Sequence, residues 1–138
     1  MMTSHMQSGQ PVRWLLLLTF ISAFSCAAQA GVSVAQPAPD FTGIDSNGST
    51  HSLSQYRGKT VVLEWTNHDC PYVRKHYQSD NMQKLQKAAI SDGIVWLSII
   101  SSAPGKQGHV SGAQANALTS QRNASPSAVI LDEKGDIG

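Results

Sequence analysis

Three apolar segments, spaced by stretches of helical composition, constrain this chain more than any other feature. Thr60-Val61-Val62-Leu63-Glu64-Trp65 and Ile94–Ile100 are β-branched and close to continuously apolar, and Ala128–Leu131 is a shorter run of the same kind. Such strands suit burial on both faces, as in a parallel sheet, better than alternation between core and water. Between them the pattern predicts a helix over Pro71–Ile90, loosened at Ser79-Asp80-Asn81, and a short one over Ala113–Gln121. Met82, Leu85 and Ala89 share one face of the longer helix, which Ser91-Asp92-Gly93 ends. Connections of this length suit parallel crossovers, so the expected fold class is α/β, with a mostly parallel central sheet and helices on both faces.

Ahead of the first long strand the chain is rich in loops. The prolines of Gln36-Pro37-Ala38-Pro39-Asp40-Phe41 exclude a helix there. Asp45-Ser46-Asn47-Gly48 is turn chemistry between two short extended pieces, Asp40–Ile44 and Thr50–Ser52, which predicts a hairpin. Leu53–Tyr56 is read as one helical turn, and Arg57-Gly58-Lys59 breaks the pattern before the strand.

Residues 1–30 read as a secretory signal. Arg13 supplies a positive flank, Trp14–Phe24 is apolar except for Thr19 and Ser22, and Ala28-Gln29-Ala30 has the small-x-small form of a cleavage site. An uncleaved anchor is the alternative, but the run is shorter than the about 20 residues of a membrane span. Cleavage after Ala30 places the mature domain, residues 31–138, in the periplasm or outside the cell, with no membrane association. It also removes Cys26, leaving Cys70 as a single unpaired thiol in a compartment where thiols are normally paired. Lipid attachment at Cys26 is a weaker reading. The formal net charge is +1 with no long basic run, which argues against nucleic acid as a partner. No glycine-rich phosphate loop and no His/Cys set at metal-ligand spacing occurs, so neither cofactor nor metal is expected.

Cys70 is the candidate nucleophile. It follows the strand and the polar turn Thr66–Asp69, and stands where a helix begins, with Pro71 at the first helical position. Free N–H groups and the dipole of a helix N-terminus favour an anion, hence a thiolate. Arg74 and Lys75 add positive charge in the first turn, whereas Asp69 opposes it. A buried structural cysteine is the bland alternative, against which the strand-end, helix-start setting argues. His68 is a candidate base or hydrogen-bond donor to Cys70, weighed against a merely solvated histidine. Trp65 and Tyr72 either line the entrance to the cysteine or belong to the core, and His51, His76 and His109 read as surface residues. The candidate catalytic set is therefore Cys70, Arg74 and His68.

Pro39-Asp40-Phe41, the Asn47-Gly48 hairpin, Leu53–Tyr56 with Arg57-Gly58-Lys59, and the strand entering Trp65-Thr66-Asn67-His68-Asp69-Cys70-Pro71-Tyr72-Val73-Arg74-Lys75-His76-Tyr77 together resemble the alkyl hydroperoxide reductase/thiol-specific antioxidant and thioredoxin-like oxidoreductase family. The resemblance extends over nearly all of residues 35–138 and implies a thioredoxin-like fold and thiol-based reduction of peroxides or disulfides. Two departures bear on mechanism. Val73 stands where a C-x-x-C motif has its resolving cysteine, so no internal dithiol cycle is available. Measured against the P-x-x-x-T-x-x-C of the peroxiredoxin-like branch that the chain resembles, Asn67 precedes Cys70 by three places and Leu63 by seven, with Thr66 one place off. The resemblance also allows Glu64 to be a proton-relaying carboxylate beneath the cysteine, against a solvated edge residue. It further implies that a helix, a cis-proline loop and an antiparallel hairpin would follow Asp132–Asp136, so the chain is expected to be incomplete at its C-terminus, with an open sheet edge. The expected function is that of an exported monothiol redox protein whose partners are a peroxide or disulfide substrate and an external thiol reductant or disulfide-bearing protein. A non-catalytic binding module and a non-functional truncated copy are the alternatives.

Overall fold

A computed structural model describes residues 33–138. The signal segment, its cleavage site and Cys26 lie outside the described residues.

The first sheet residues are β1 (Thr42–Asp45) and β2 (Thr50–Ser52), an antiparallel hairpin closed by Asn47-Gly48, where Gly48 takes a φ of 84°. Asp45 holds this turn, accepting from the N–H groups of Asn47 at 2.9 Å and Ser49 at 2.8 Å. A 3-10 turn follows over Leu53–Tyr56, as its sequence predicts. Then come β3 (Val61–Trp65), α1 (Pro71–Gln78), α2 (Asn81–Ser91), β4 (Val95–Ile100), α3 (Gly112–Gln121) and β5 (Ala128–Leu131). The long helix expected from Pro71 is two helices, because Asp80 adopts a left-handed φ of 57° that turns the chain between them. Ser111 caps α3 through its hydroxyl, which accepts from Gln114 N–H, and the Gln114 side chain accepts from Ser111 N–H in return.

The sheet order is β2-β1-β5-β4-β3, with β3, β4 and β5 parallel and β1 antiparallel to both β2 and β5. All six residues of β4 are buried, as a strand flanked on both sides requires. β3 reads equally apolar but is only partly buried, since among the described residues it pairs on one side alone. Thr60 C=O accepts from Val95 N–H and Thr66 N–H donates to Ile99 C=O. By strand alternation the backbone groups of Val61, Leu63 and Trp65 therefore point to the open edge.

One face packs Val95, Leu97, Ile99, Ala128 and Ile130 with Val61 and Leu63, covered by Phe41, Tyr56 and Ile137. Gly43 sits against this layer, where a Cβ would fall 2.5 Å from Ile130. The other face packs Ile100 and Val129 against Val110, Ala115 and Leu118 of the α3 region. α2 also lies on that side, but the face it buries differs from the apolar pattern. Gln83, Gln86 and Ala89 are buried while Leu85 is 49% exposed. The glutamines turn inward because polar partners await them beneath.

Candidate functional site

The turn before Cys70 is built by Asn67. Its Oδ1 accepts from Asp69 N–H at 2.9 Å, its backbone C=O accepts from Cys70 N–H at 3.0 Å, and its Nδ2 reaches Gln107 C=O at 3.4 Å. This last contact ties the turn to the loop after β4, where Gly108 has a φ of 85° and leaves room for the Asn67 side chain. Cys70 is then the N-cap of α1, extended at φ −68° and ψ 124°, with Pro71 at the first helical position. Its C=O accepts the first intrahelical bond, from Arg74 N–H at 3.0 Å. Pro71 has no N–H, so the free amides of this terminus belong to Tyr72 and Val73.

Cys70 is the one cysteine among the described residues and is partly exposed. Arg74 lies in the first turn with its side chain in solvent, and Lys75 beside it is also exposed. His68 is partly buried, with Nε2 3.4 Å from Asp69 Oδ1. The three predicted residues thus fall on one turn and the helix it starts. His68 and Arg74 line a common groove with Asp69, and the sequence places Cys70 between them. Tyr72 is 77% and Trp65 48% exposed, so neither is a core residue.

Glu64 is neither solvated at the edge nor alone. Its Oε2 accepts from Trp96 Nε1 at 2.7 Å, Ser98 Oγ at 2.9 Å and Gln86 Nε2 at 3.3 Å, and its Oε1 accepts from Tyr77 OH at 3.0 Å. Gln86, fully buried, also donates to Tyr77 OH at 3.2 Å and accepts from Ser125 N–H at 2.8 Å. The carboxylate gathers β3, β4, α1 and α2 onto one acceptor. Burial, with the adjoining Glu64 carboxylate, pushes the Tyr77 hydroxyl well above the ordinary tyrosine range, so it stays a neutral donor. Arg122, from the end of α3, lies over the Tyr77 ring at 4.8 Å from its centroid. A small cavity of about 30 Å³ remains between Thr66, His68, Tyr77, Ser98 and the α3 face, and Thr66 Oγ1 is buried beside it without a hydrogen-bond partner.

A second polar cluster joins the hairpin to the 3-10 turn. His51 Nε2 lies 2.9 Å from Asp45 Oδ2 and its Nδ1 2.6 Å from Tyr56 OH. His51 is therefore partly buried in a network, not the surface residue expected from the sequence. Two signals in the sequence point to these clusters: a carboxylate inside an apolar strand, and a histidine six residues beyond a turn aspartate. No group of three or more His, Cys, Asp or Glu side chains suited to a metal occurs among the described residues. No helix among them is long and apolar enough to cross a membrane.

Residues 34–138 match the family model described as the AhpC/TSA family. Among solved structures, a candidate protein disulfide isomerase from Bacteroides thetaiotaomicron is similar at 24% identity and a TM-score of 0.58, over 77% of this chain and 62% of that one. The exposed lipoprotein thioredoxin of Streptococcus pneumoniae is 26% identical, with a TM-score of 0.53, over 72% of this chain and 70% of its own. A secreted disulfide oxidoreductase of Mycobacterium tuberculosis is 18% identical, with a TM-score of 0.53, over 70% of this chain and 63% of its own. These likenesses show a thioredoxin-like fold, and the chain spans less than two thirds of the Bacteroides and Mycobacterium proteins. No curated protein matches the chain significantly.

Proposed function

The chain belongs to the AhpC/TSA family, and from that premise we propose that it is an exported thiol oxidoreductase that reduces disulfides through Cys70 alone. The observation that carries this reading is the placement of Cys70. It is a partly exposed thiol at the N-cap of α1, with the free amides of Tyr72 and Val73 and the Arg74 side chain in the turn that follows. The helix terminus stabilises negative charge on sulfur as the thiolate forms and as it leaves. Arg74 adds a cation at the same end. His68, in the turn before the cysteine, is the group assigned to take and return the proton.

In this cycle the Cys70 thiolate attacks one sulfur of a substrate disulfide, forming a mixed disulfide and releasing the other sulfur as a thiolate. Val73 occupies the resolving position, so an external thiol attacks Cys70 Sγ and expels the second substrate thiolate. A further external thiol then attacks the outer sulfur and frees Cys70. The substrate disulfide gains two electrons, and two external thiols become a disulfide. Export to the periplasm or beyond, with cleavage after Ala30, belongs to the same proposal and is supported by the apolar run ahead of Ala28-Gln29-Ala30.

Peroxide reduction is the competing chemistry, in which Cys70 attacks an O–O bond to give a sulfenic acid and an alcohol or water. Thr66, one place off the P-x-x-x-T-x-x-C spacing, counts against peroxide reduction, as Val73 at the resolving position counts against an internal dithiol cycle; the cycle above, resolved by an external thiol, needs neither. Incubating the Cys26→Ser chain with an aromatic disulfide, and separately with hydrogen peroxide, distinguishes the two by mass spectrometry. A mixed disulfide on Cys70, absent in Cys70→Ser and formed by a chain that is folded by circular dichroism, is the expected result. A folded chain whose Cys70 reacts with neither oxidant overturns the proposal.

A further inference from the structure

We propose that the external thiol resolving Cys70 is a small zwitterion, an amino-acid or short-peptide thiol carrying both an ammonium and a carboxylate, seated in the groove between α1 and the end of α3. The inference rests on the monothiol reading above and names the partner of that site. The groove measures about 510 Å³, within the roughly 300–1,000 Å³ of small-molecule sites. Its rim includes His68, Asp69 and Arg74. Cys70, the N-cap of α1, stands four residues before Arg74, the spacing at which helical positions share a face.

Charge distribution points to a ligand with two charges of opposite sign. Arg74 and Arg122 both line the groove, and neither is paired with a carboxylate among the described residues. Asp80 lines it as well, with its carboxylate free of any salt bridge or side-chain hydrogen bond, including the capping bond it could give α2. Two guanidinium groups and two carboxylates thus share a groove without a salt bridge between them: Asp69 lies against His68 at 3.4 Å, which leaves Asp80 as the carboxylate without a partner. The backbone explains why Asp80 and Arg122 stay put. Asp80 is fixed at the left-handed turn between α1 and α2, and Arg122 is held over the ring of Tyr77, itself anchored to Glu64. Gln83 lines the same groove at 5% exposure, bonding Tyr77 C=O at 2.8 Å and Arg122 C=O at 2.7 Å through Nε2, with its Oε1 unpartnered. A ligand carboxylate meets the guanidinium groups, which have no carboxylate partner in the protein, and a ligand ammonium meets Asp80. The bound thiolate attacks Cys70 Sγ. The Sγ–substrate bond breaks as the Sγ–ligand bond forms, and the substrate leaves as a thiolate.

The test uses the full chain with Cys26→Ser, in which Cys70 is first converted to a mixed disulfide with thionitrobenzoate. Release of the chromophore is then timed with four probes: free cysteine, cysteamine, 3-mercaptopropionate and 2-mercaptoethanol. They carry both charges, the ammonium alone, the carboxylate alone, and neither. Each rate is divided by that thiol's rate with the corresponding small-molecule disulfide, which removes intrinsic nucleophilicity. Free cysteine is expected to exceed the other three by at least about fivefold. Asp80→Asn, which keeps the left-handed backbone accessible, brings that advantage to within about twofold, and Arg122→Gln does the same. Lys87→Gln, on the exposed face of α2, retains it. Equal normalised rates for all four probes overturn the zwitterion and leave Cys70 chemistry standing, as does a match between 3-mercaptopropionate and cysteine. A folded chain whose Cys70 forms no mixed disulfide overturns both readings.

Discussion

Trp96 Nε1 donates to Glu64 Oε2 at 2.7 Å, although the residue opposite Glu64 in the β3–β4 ladder is Ser98. The indole leans along its strand to reach a carboxylate that Ser98, Gln86 and Tyr77 also approach. An indole N–H can only donate, so removal of the acceptor leaves it without a partner. Glu64→Ala is expected to lower unfolding free energy by about 2–4 kcal/mol, and Glu64→Gln by about 1–2 kcal/mol, because the amide keeps one acceptor oxygen. Urea denaturation followed by circular dichroism checks both. A loss below about 0.5 kcal/mol for Glu64→Ala contradicts the role given to this cluster.

The same cluster makes stability depend on alkaline pH. Burial first, then the Glu64 carboxylate, raise the Tyr77 hydroxyl above its unfolded value. A group whose folded value is raised contributes stability that is whole below the unfolded value, about 10 for tyrosine, and is lost as pH rises beyond it. Stability of the native chain should therefore fall above about pH 10, and Tyr77→Phe should flatten that fall while losing the bonds to Glu64 and Gln86 at neutral pH. Denaturation curves between neutral and strongly alkaline pH decide it, and an unchanged slope in Tyr77→Phe counts against the assignment.

At the acid end the hairpin responds. Burial raises the Asp45 carboxyl, but the hydrogen bonds from His51 and from the N–H groups of Ser49 and Asn47 outweigh it, and the net shift is downward from 3.8. The sign is then opposite to that of Tyr77. Asp45 stabilises the fold above its unfolded value and stops doing so as pH falls through its lower folded value. Asp45→Asn should remove part of the stability loss below about pH 4 and lower stability at neutral pH, where the wild-type carboxylate is ionised. If wild type and Asp45→Asn lose stability in parallel on acidification, this carboxyl is not the group responsible.

Gly108 and Asn67 make a local test of the turn that carries Cys70. A Cβ on Gly108 would come 2.5 Å from Asn67 Cγ, at a φ of 85° that L-residues disfavour. Gly105 has a φ of 76° but nothing within 4 Å of the same position. Both alanine variants are expected to cost about 1–2 kcal/mol from backbone conformation. Only Gly108→Ala should also displace Asn67 and change the alkylation rate of Cys70 in the folded chain. Equal alkylation rates in the two variants argue that the 67–70 turn does not depend on this loop.

Much of the scaffold was legible because its signals were local. Ala128–Leu131 and Leu53–Tyr56 occupy the residues their composition predicts, and Cys70-Pro71 opens a helix as a proline at that position allows. The division of the long helix was visible only as weak composition at Ser79-Asp80-Asn81, since a single left-handed residue is enough to make it. The face of α2 was misread for a different reason. Periodicity counts apolar residues, and Gln83 and Gln86 are buried because Glu64, Arg122 and Ser125 supply partners from distant parts of the chain and Tyr77 supplies one from the preceding helix. His51 escaped for the same cause, since its place depends on Asp45 and Tyr56 together. Of the candidate site, Cys70, His68 and Arg74 come from one short stretch of sequence, which the structure folds into one turn and the helix it starts. Asp80 and Arg122, which complete the groove, are 42 residues apart in the printed sequence, and no short-range pattern links them.

The position of β5 has a consequence for the way the chain assembles. It comes last in sequence among the described strands, yet it lies in the middle of their sheet, between β1 and β4. Until residues 128–131 emerge from synthesis, the N-terminal hairpin and the β3–β4 pair are two separate ladders with no edge in common. Closing the β1–β5 pairing spans most of the domain, so the cost of bringing distant segments together falls on one late event. A chain that stops before Ala128 should thus remain open to proteases at the hairpin, whereas one that includes residues 128–138, with Asp132 and Ile137 in place, should be resistant.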